Sequence, residues 1–487
     1  MRYGRAVRAR NTSVALAHAI LARGPAARNH ADLAAFAGIS PRTVDNVLRI
    51  LAPPRLMTRE RPPRLGPGLG LVVGVSLGTE SLRSGLLSPN GDLLHARTFP
   101  PMAEQLARPP NVILARVRRA VFASLQDALD DAGLRLADGS VRLRGVGVAW
   151  PAPVDNDGRP AGSVLSHRGW RDPVDGQGER RSLEARLAEV LRPVVPHELV
   201  HALNDANAHG LALAFDHSRE RAAEGRTGPA APAGPQAAVA ARADAWRQMI
   251  VVRLGGGVGA STVQLAPEGD PDAPSRSAFL DTGLIVGGDG LAGEIGHLPI
   301  DRGVIAAVNR GAPRGLRPLE PDAPCPCGGR SHLEAYVGAS AFARRMSESG
   351  FRDVYDDEGR ASPFVTTMFR EGPDEIQKGA LRQAGRLLGH ALAGPILMLN
   401  PQRVALTGAL AGGNVREGLE SERELWKGLG GTIRLSHVSG EARVYAGVRG
   451  AALAVMRAAL WRRMGEALAA PDLGTARVRP GEVPADT

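Results

Sequence analysis

The chain has 487 residues, 43% of them apolar and 4% aromatic, with a net charge of +10. That length excludes one small domain and suggests two or three, with cores built mainly from Leu, Val and Ala. Two cysteines in so long a chain exclude a disulfide framework and point to a reducing compartment; no apolar run reaches a membrane span, so the expected location is the cytoplasm.

The charge is unevenly placed. Residues 1–66 carry twelve arginines against Asp32, Asp45 and Glu60, a net of +9. A localised basic domain is the electrostatic footprint of phosphate-backbone binding. Arg2, Arg5, Arg8 and Arg10 before the apolar run Ser13–Ala22 imitate a secretory signal. The next forty residues make sense only if that run is a helix of the same domain.

The spacing predicts a helix over 13–24, stopped by Gly24-Pro25, and a second over about 30–37. Gly38-Ile39-Ser40 is a turn, with Ser40 as N-cap and Pro41 at the first position of a third helix running to about Leu51. Leu33, Ala34, Gly38, Ile39, Val44 and Val47 stand at helix-turn-helix spacing, Gly38 supplying a positive φ. The outward residues of the third helix are then Arg42, Thr43, Asp45, Asn46 and Arg49. Arg and Asn read guanine and adenine edges in the major groove, so Arg42, Thr43, Asn46 and Arg49 are candidate DNA contacts. A helical hairpin used for dimerisation is the plainer alternative. Leu56-Met57 leads into a short wing, and Pro62–Gly70 reads as a linker.

Residues 71–87 read as two strands joined by a tight turn, and 110–132 as a helix. Residues 141–155 read as a buried strand breaking into a Pro-rich turn. A strand at 200–204 delivers Asn204 and Asp205 at its C-terminal end, where open α/β sheets place ligands. Residues 217–245 read as a disordered insertion, rich in Ala, Pro, Gly and Arg without periodicity. The strand from 249 ends in Gly255, Gly256, Gly257 and Gly259, a turn type that supports nucleotide binding only weakly. Residues 267–277 and 303–322 read as loops and 374–399 as a long amphipathic helix. Residues 403–409 read as a strand into a Gly turn, 444–469 as a last helix and 471–487 as a disordered tail. This order suggests two α/β halves closing over a cleft.

The stretch 287–334 carries the strongest signal. Cys325 and Cys327, the only cysteines, are followed by His332, with His297 upstream. Two thiolates and two imidazoles suit a structural Zn2+, which takes four N/S ligands tetrahedrally. The alternative is two ordinary thiols and two unrelated histidines.

Glu294-Ile-Gly-His297 and Cys325-Pro-Cys327-Gly328 resemble the ROK family (repressor, open reading frame, kinase), which pairs Glu-x-Gly-His with Cys-x-Cys-Gly-x-x-Gly-Cys-x-Glu. His332 stands where the third cysteine usually stands, and Ser331 replaces a glycine. The resemblance covers about 70–465, with about 10–65 as a DNA-binding head. It implies an α/β fold with an N-terminal winged helix-turn-helix (1–66) followed by a two-lobed actin-like ATPase/sugar-kinase (ribonuclease H-like) domain. The lobes fall at 67–200 and 201–470, the second carrying the zinc motif. It also implies that Glu294, His297 and Glu334 face a sugar, with His297 on the metal as well.

In that family the residue aligned with Asp205 is the general base in kinases, and the one aligned with Asn204 hydrogen-bonds the sugar. A carboxylate and an amide side by side also suit plain recognition of two hydroxyls. Leu213 stands where the family often has Glu. Ala152 replaces a glycine of Gly-Val-Pro-Gly-Pro-Val-Asp. Gly158, Arg159 and His167-Arg-Gly-Trp170 occupy the loop over the sugar. The family's first phosphate loop, Asp-x-Gly-Gly-Thr-Lys, is degenerate here. Ser76 replaces Asp, Gly78 is kept, and Thr79, Glu80 and Ser81 follow. Glu80 against phosphate would be repulsive by about 1–4 kcal/mol. Gly78, Gly255, Gly257 and Gly259 are therefore read as vestigial, and ATP with Mg2+ is not expected. These features describe a sugar-responsive regulator of carbohydrate genes, with operator DNA, a sugar effector and a second copy of the chain as partners in a homodimer or higher oligomer. An ATP-dependent sugar kinase with an added head, using Asp205 as base, is the alternative. A regulator with a vestigial pocket that answers to a protein partner is a third reading.

Overall fold

The computed structural model describes residues 2–23, 27, 29–60, 62–78, 81–100, 109–160, 182–192, 194–196, 199–223, 248–265, 282–355, 362–426, 433–438 and 443–484. Three helices come first: α1 (Arg2–Arg23), α2 (His30–Phe36) and α3 (Pro41–Leu51). Helix α1 begins at Arg2 rather than Ser13. The side chain of Asn29 accepts from Asp32 N at the start of α2, and Ser40 Oγ accepts from Thr43 N at the start of α3, satisfying otherwise orphan N–H groups. Gly38 turns the chain between them at φ 65°. Leu33, Val44, Val47 and Leu48 are buried at the junction. Beyond α3, Met57 and Leu65 form one isolated antiparallel bridge.

The expected linker 62–70 is fixed rather than loose. Asn90 exchanges two hydrogen bonds with the Leu65 backbone, at 2.8 and 2.9 Å. Arg144 Nε donates to Leu69 O at 2.6 Å, and Arg142 donates to Gly68 O. The head also shares its core with the body. Leu16, Ile20, Leu33 and Leu51 belong to one apolar cluster with Leu211, Phe215 and Trp461.

The body has two sheets. The first contains β1 (Leu71–Leu77), β2 (Leu82–Leu87), β3 (Leu93–Phe99), β4 (Val141–Trp150) and β5 (Val200–Asn204). β1–β2 and β2–β3 pair antiparallel, and β1–β4 and β4–β5 parallel. Helix α4 (Pro110–Asp130) precedes β4, which is buried at every residue, as expected of a strand covered on both faces. Helix α5 (Leu183–Leu191) precedes β5, and α6 (Asp205–Ala223) follows it directly.

The second sheet contains β6 (Gln248–Leu254), β7 (Val258–Gln264), β8 (Gly283–Ile285), β9 (Arg403–Thr407) and β10 (Arg434–His437). Its pairings repeat those of the first sheet: two antiparallel hairpins, then two parallel neighbours. The helix Glu375–Leu399, opened by an Asp374–Gln377 capping box, leads into β9. Helix Ala446–Met456 returns to the first sheet. A Cβ on Gly74 or Gly147 would lie 2.2 or 2.1 Å from its backbone carbonyls at Val448 and Ala451, so the strands admit it only as glycines.

Five sequence expectations are corrected. The lobe boundary at 200 would cut β5 from its own sheet, and the chain re-enters the first lobe at 446. Residues 302–310 are a helix, not a loop, because Asp301 caps it and Ile305 and Val308 bury one face. The last helix is broken: Ala446–Met456, a π turn Arg457–Trp461, then Met464–Ala469. That turn seats Trp461 5.4 Å from the Phe215 ring, with its indole N–H on Pro89 O. The tail is ordered through 484, where β11 (Ala476–Val478) pairs antiparallel with β4 and Asp472 meets the buried Arg142. Of the expected insertion, 217–223 end α6; 224–247 lie outside the described residues, as do 167–170, 267–277, Thr79 and Glu80. Among the described residues no helix is long and apolar enough to cross a membrane.

Candidate metal centre and ligand cleft

His297, Cys325, Cys327 and His332 converge, one ligand atom from each lying within 4.8 Å of the others. Cys325 Sγ is 3.7 Å from His297 Nδ1, and Cys327 Sγ is 3.2 Å from His332 Nδ1. A tetrahedron with zinc–sulfur and zinc–nitrogen bonds has edges of roughly 3.3–3.8 Å, close to these two Cys–His separations, so this donor set fits the ion in number and type. The loops are built to hold it. Cys325 N donates to Gly329 O, Gly328 takes φ 90°, bridge Pro324–Arg330 closes the cysteine loop, and bridge Pro299–His332 ties that loop to the His297 segment. Ser331 takes φ 59°, which explains why a glycine suits that position. Burial pushes the Cys325 thiol up to about 12, so a cation is what would favour its thiolate.

The carboxylates lie beside this knot. Glu334 opens a short helix, Glu334–Val337, and its Oε2 accepts from Val258 N at 3.0 Å. A Cβ on Gly257 would sit 2.6 Å from that oxygen, so the β6–β7 hairpin approaches the acid only as glycine. Glu294 Oε2 is 3.7 Å from His297 Nε2. Burial raises the Glu294 carboxyl to about 7, and the charges of Asp205 and Glu334 add to the effect. Asp205 and Glu334 therefore lie near enough to Glu294 to disfavour its charged form.

Asn204 and Asp205 stand at the β5–α6 junction, 8% and 6% exposed. Asn204 Oδ1 accepts from Ala206 N and Asn207 N, which caps α6, and Nδ2 donates to Ala152 O at 3.2 Å. One amide N–H is left for a ligand. Asp205 Oδ2 lies 2.9 Å from the Arg253 guanidinium. The same oxygen makes no hydrogen bond, so this contact is a charge pair with poor N–H alignment. Burial raises the Asp205 carboxyl while Arg253 opposes the shift. Sequence reasoning missed Arg253; its signal was a charged residue inside an otherwise apolar strand.

Gly158 and Arg159 lie on the turn after β4, Gly158 at φ 72°, and Arg159 donates to Asp157 at 2.6 Å. The turn reaches the other lobe through Asn156 Nδ2 and Gly287 O, at 3.2 Å. Gly78 donates to Ser81 O at 2.7 Å beside Arg253, and Gly255 N donates to Gly257 O. Gly259 lies inside β7, not in the hairpin loop, and faces Ala206.

On α3, Arg42, Asn46 and Arg49 are exposed. Thr43 is half-buried with its hydroxyl 2.7 Å from Ser40 Oγ, and Asp45 pairs with His30. Ile50, 71% exposed, continues the Arg42–Asn46–Arg49 stripe and was not singled out from sequence.

No curated protein matches the chain at the sequence level. Among solved structures it is similar to a ROK family transcriptional regulator, homologue of the E. coli MLC protein, at 15% identity and TM-score 0.53, over 93% of this chain and 98% of that one. A ROK family glucokinase from Streptomyces griseus in complex with glucose and AMPPNP aligns at 18% identity and TM-score 0.49, over 79% and 98%. The ROK hexokinase from Thermus thermophilus aligns at 20% and 0.46, over 79% and 97%. Residues 276–455, which hold the His/Cys cluster, Glu294 and Glu334, match the ROK family, and the chain carries a ROK family domain there.

Proposed function

We propose that this protein is a sugar-responsive, DNA-binding transcriptional regulator without kinase activity, acting in the cytoplasm as a homodimer. The observation that carries the reading is the Asp205–Arg253 pair at 2.9 Å. The carboxylate that would serve as a kinase base is engaged by a cation, and the facing loop has Ser76 in place of a metal-binding Asp. Asn204, Asp205, Glu294 and Glu334 bind sugar hydroxyls, with Gly158 and Arg159 closing over them. Zinc on His297, Cys325, Cys327 and His332 fixes the loop that carries Glu294 and Glu334. Arg42, Asn46 and Arg49 meet DNA, Thr43 and Ser40 hold the helix start, and Ile50 suits a thymine methyl.

The packing offers a route between the two functions. Asp205 is the first residue of α6, and α6 also packs against α1 of the head. A sugar that shifts α6 changes the seating of the head, and in a dimer the spacing of two recognition helices.

The test is selection of bound sequences from a random duplex pool, together with a coupled ADP-release assay over hexoses and N-acetylhexosamines. An enriched palindromic site with no turnover supports the regulator. Turnover that disappears in Asp205→Asn, with no enriched site, supports the kinase instead.

A further inference from the structure

A cavity of about 380 Å3 lies away from the sugar-facing residues, inside the roughly 300–1,000 Å3 span of small-molecule pockets. It opens on one edge of β4. β11 pairs with residues 141–143 of that strand and β5 with residues 146–150, so Arg144 and Gly145 fall in a gap between two neighbours. Arg144 lines the cavity from this gap, and Leu199 and His201 line it from the start of β5. Asn204 stands at the far end of the same strand, where the sugar-facing residues begin.

The opposite wall is the π turn Arg457–Trp461 and the helix Met464–Ala469, which present Ala458, Ala459 and Ala467. Three methyl groups leave room that longer side chains would fill. Single π turns are rare and recur at functional sites. Leu473 of the tail also lines the cavity and is 62% exposed. Arg144 itself is 2% exposed. Its Nε donates to Leu69 O, and its terminal nitrogens donate to Leu473 O and Pro471 O at 2.8 and 3.1 Å. All three partners are neutral carbonyls, and one N–H remains on each terminal nitrogen. Burial first, then the charge of Arg142, lower its pKa to about 10, with Asp472 opposing. The other charges are met locally. Arg463 Nε lies 4.0 Å from Glu466 Oε2, and His201 Nδ1 lies 3.6 Å from Glu184 Oε1. Among the described residues, Arg144 is thus the one charged group lining the cavity that forms no ion pair. Keeping a buried cation without a counter-ion costs energy that a bound anion returns.

The lining selects the ligand. One unopposed guanidinium calls for a monoanion, and its planar fork matches the two oxygens of a carboxylate. A phosphate monoester would bring a second charge that nothing here meets. The alanine wall and the exposed leucine call for an apolar body beside that charge. We propose that this cavity binds a small carboxylate with an apolar body, the carboxylate on Arg144 and the body against Ala458, Ala459, Ala467 and Leu473. Helix Met464–Ala469 also packs on α1, so such a ligand touches the element on which the head rests.

None of these residues serves the sugar or DNA reading, so either can fail while the other stands. The experiment is calorimetric titration of the full-length protein with phenylacetate, hexanoate, acetate, 2-phenylethanol and phenyl phosphate. Saturable binding of phenylacetate or hexanoate is expected, with acetate, which lacks the body, and 2-phenylethanol, which lacks the charge, at least about tenfold weaker. Ala459→Leu fills the cavity and is expected to weaken binding about tenfold or more. Arg463→Glu alters a side chain 66% exposed, so folding is kept, and the added negative charge is expected to weaken binding about fivefold. Asp205→Asn in the sugar site is expected to leave it unchanged. Thermal melting confirms that each variant folds. The proposal is overturned by absence of binding by either apolar carboxylate up to about 10 mM, or by acetate, 2-phenylethanol or phenyl phosphate binding as tightly as phenylacetate. Binding unchanged in both Ala459→Leu and Arg463→Glu, or lost in Asp205→Asn, overturns it as well.

Discussion

Single residues decide whether the His297, Cys325, Cys327 and His332 cluster can close. A Cβ on Gly329 would lie 2.4 Å from His332 Cε1, and the ring would have to leave its position beside Cys327. Gly329→Ala is therefore expected to weaken zinc binding by about 10–100-fold, the scale seen when ligand-orienting groups are lost. Zinc content by mass spectrometry after dialysis against a weak chelator checks this; full retention would contradict it. At this scale the sequence was readable where chemistry demands rare types. Cys325, Cys327 and His332 stood out by spacing, and His297 by its motif, despite the gap between them. Arg253 did not, because nothing in a strand pattern says that an arginine on one strand will meet Asp205 at the end of another. Asn204 was half legible: its place at the strand end was foreseen, but its amide oxygen caps α6 and one N–H is held by Ala152 O.

Elements follow local rules in the head and long-range ones in the body. The N-cap and proline signals located α3 from its first residue, because capping is a contact between near neighbours. Arg49→Ala is expected to cost about 1–3 kcal/mol of sequence-specific DNA affinity, with thermal melting unchanged, because Arg49 is exposed. Fluorescence anisotropy on a selected site measures it; unaltered affinity would remove α3 from the interface. The tail was misread because β11 finds its partner strand more than three hundred residues upstream in sequence. Truncation after 470 removes Asp472 from the buried Arg142 and the Pro471 and Leu473 carbonyls from Arg144. Such a chain is expected to lose about 3 kcal/mol or more, since a buried charge then lacks its partner. Urea unfolding gives the value, and a midpoint unchanged by truncation would make the strand incidental.

At the scale of the whole molecule, two sheets of the same strand pattern are bound together by helices. A Cβ on Gly450 would sit 1.6 Å from Ala208 O, so helix Ala446–Met456 and α6 cross in backbone contact. Gly450→Val is expected to destabilise the protein by about 3 kcal/mol, because neither backbone can move aside. Differential scanning calorimetry tests this, and a wild-type melting point would mean that the crossing is loose. The two halves were legible from the repeated strand-turn-helix order. The return of the chain to the first lobe at 446 was not, since only tertiary packing pairs Gly74 and Gly147 with Val448 and Ala451. The same α6 starts at Asp205, within the proposed sugar site, and packs along the head, so in this account ligand and DNA binding should be energetically linked. The direct measurement is DNA affinity by anisotropy at rising sugar concentration, for wild type and Asp205→Asn. The account predicts a shift of about 5-fold or more in wild type that is lost in the variant. An affinity for DNA that no sugar alters, in a protein that binds those same sugars, would contradict it.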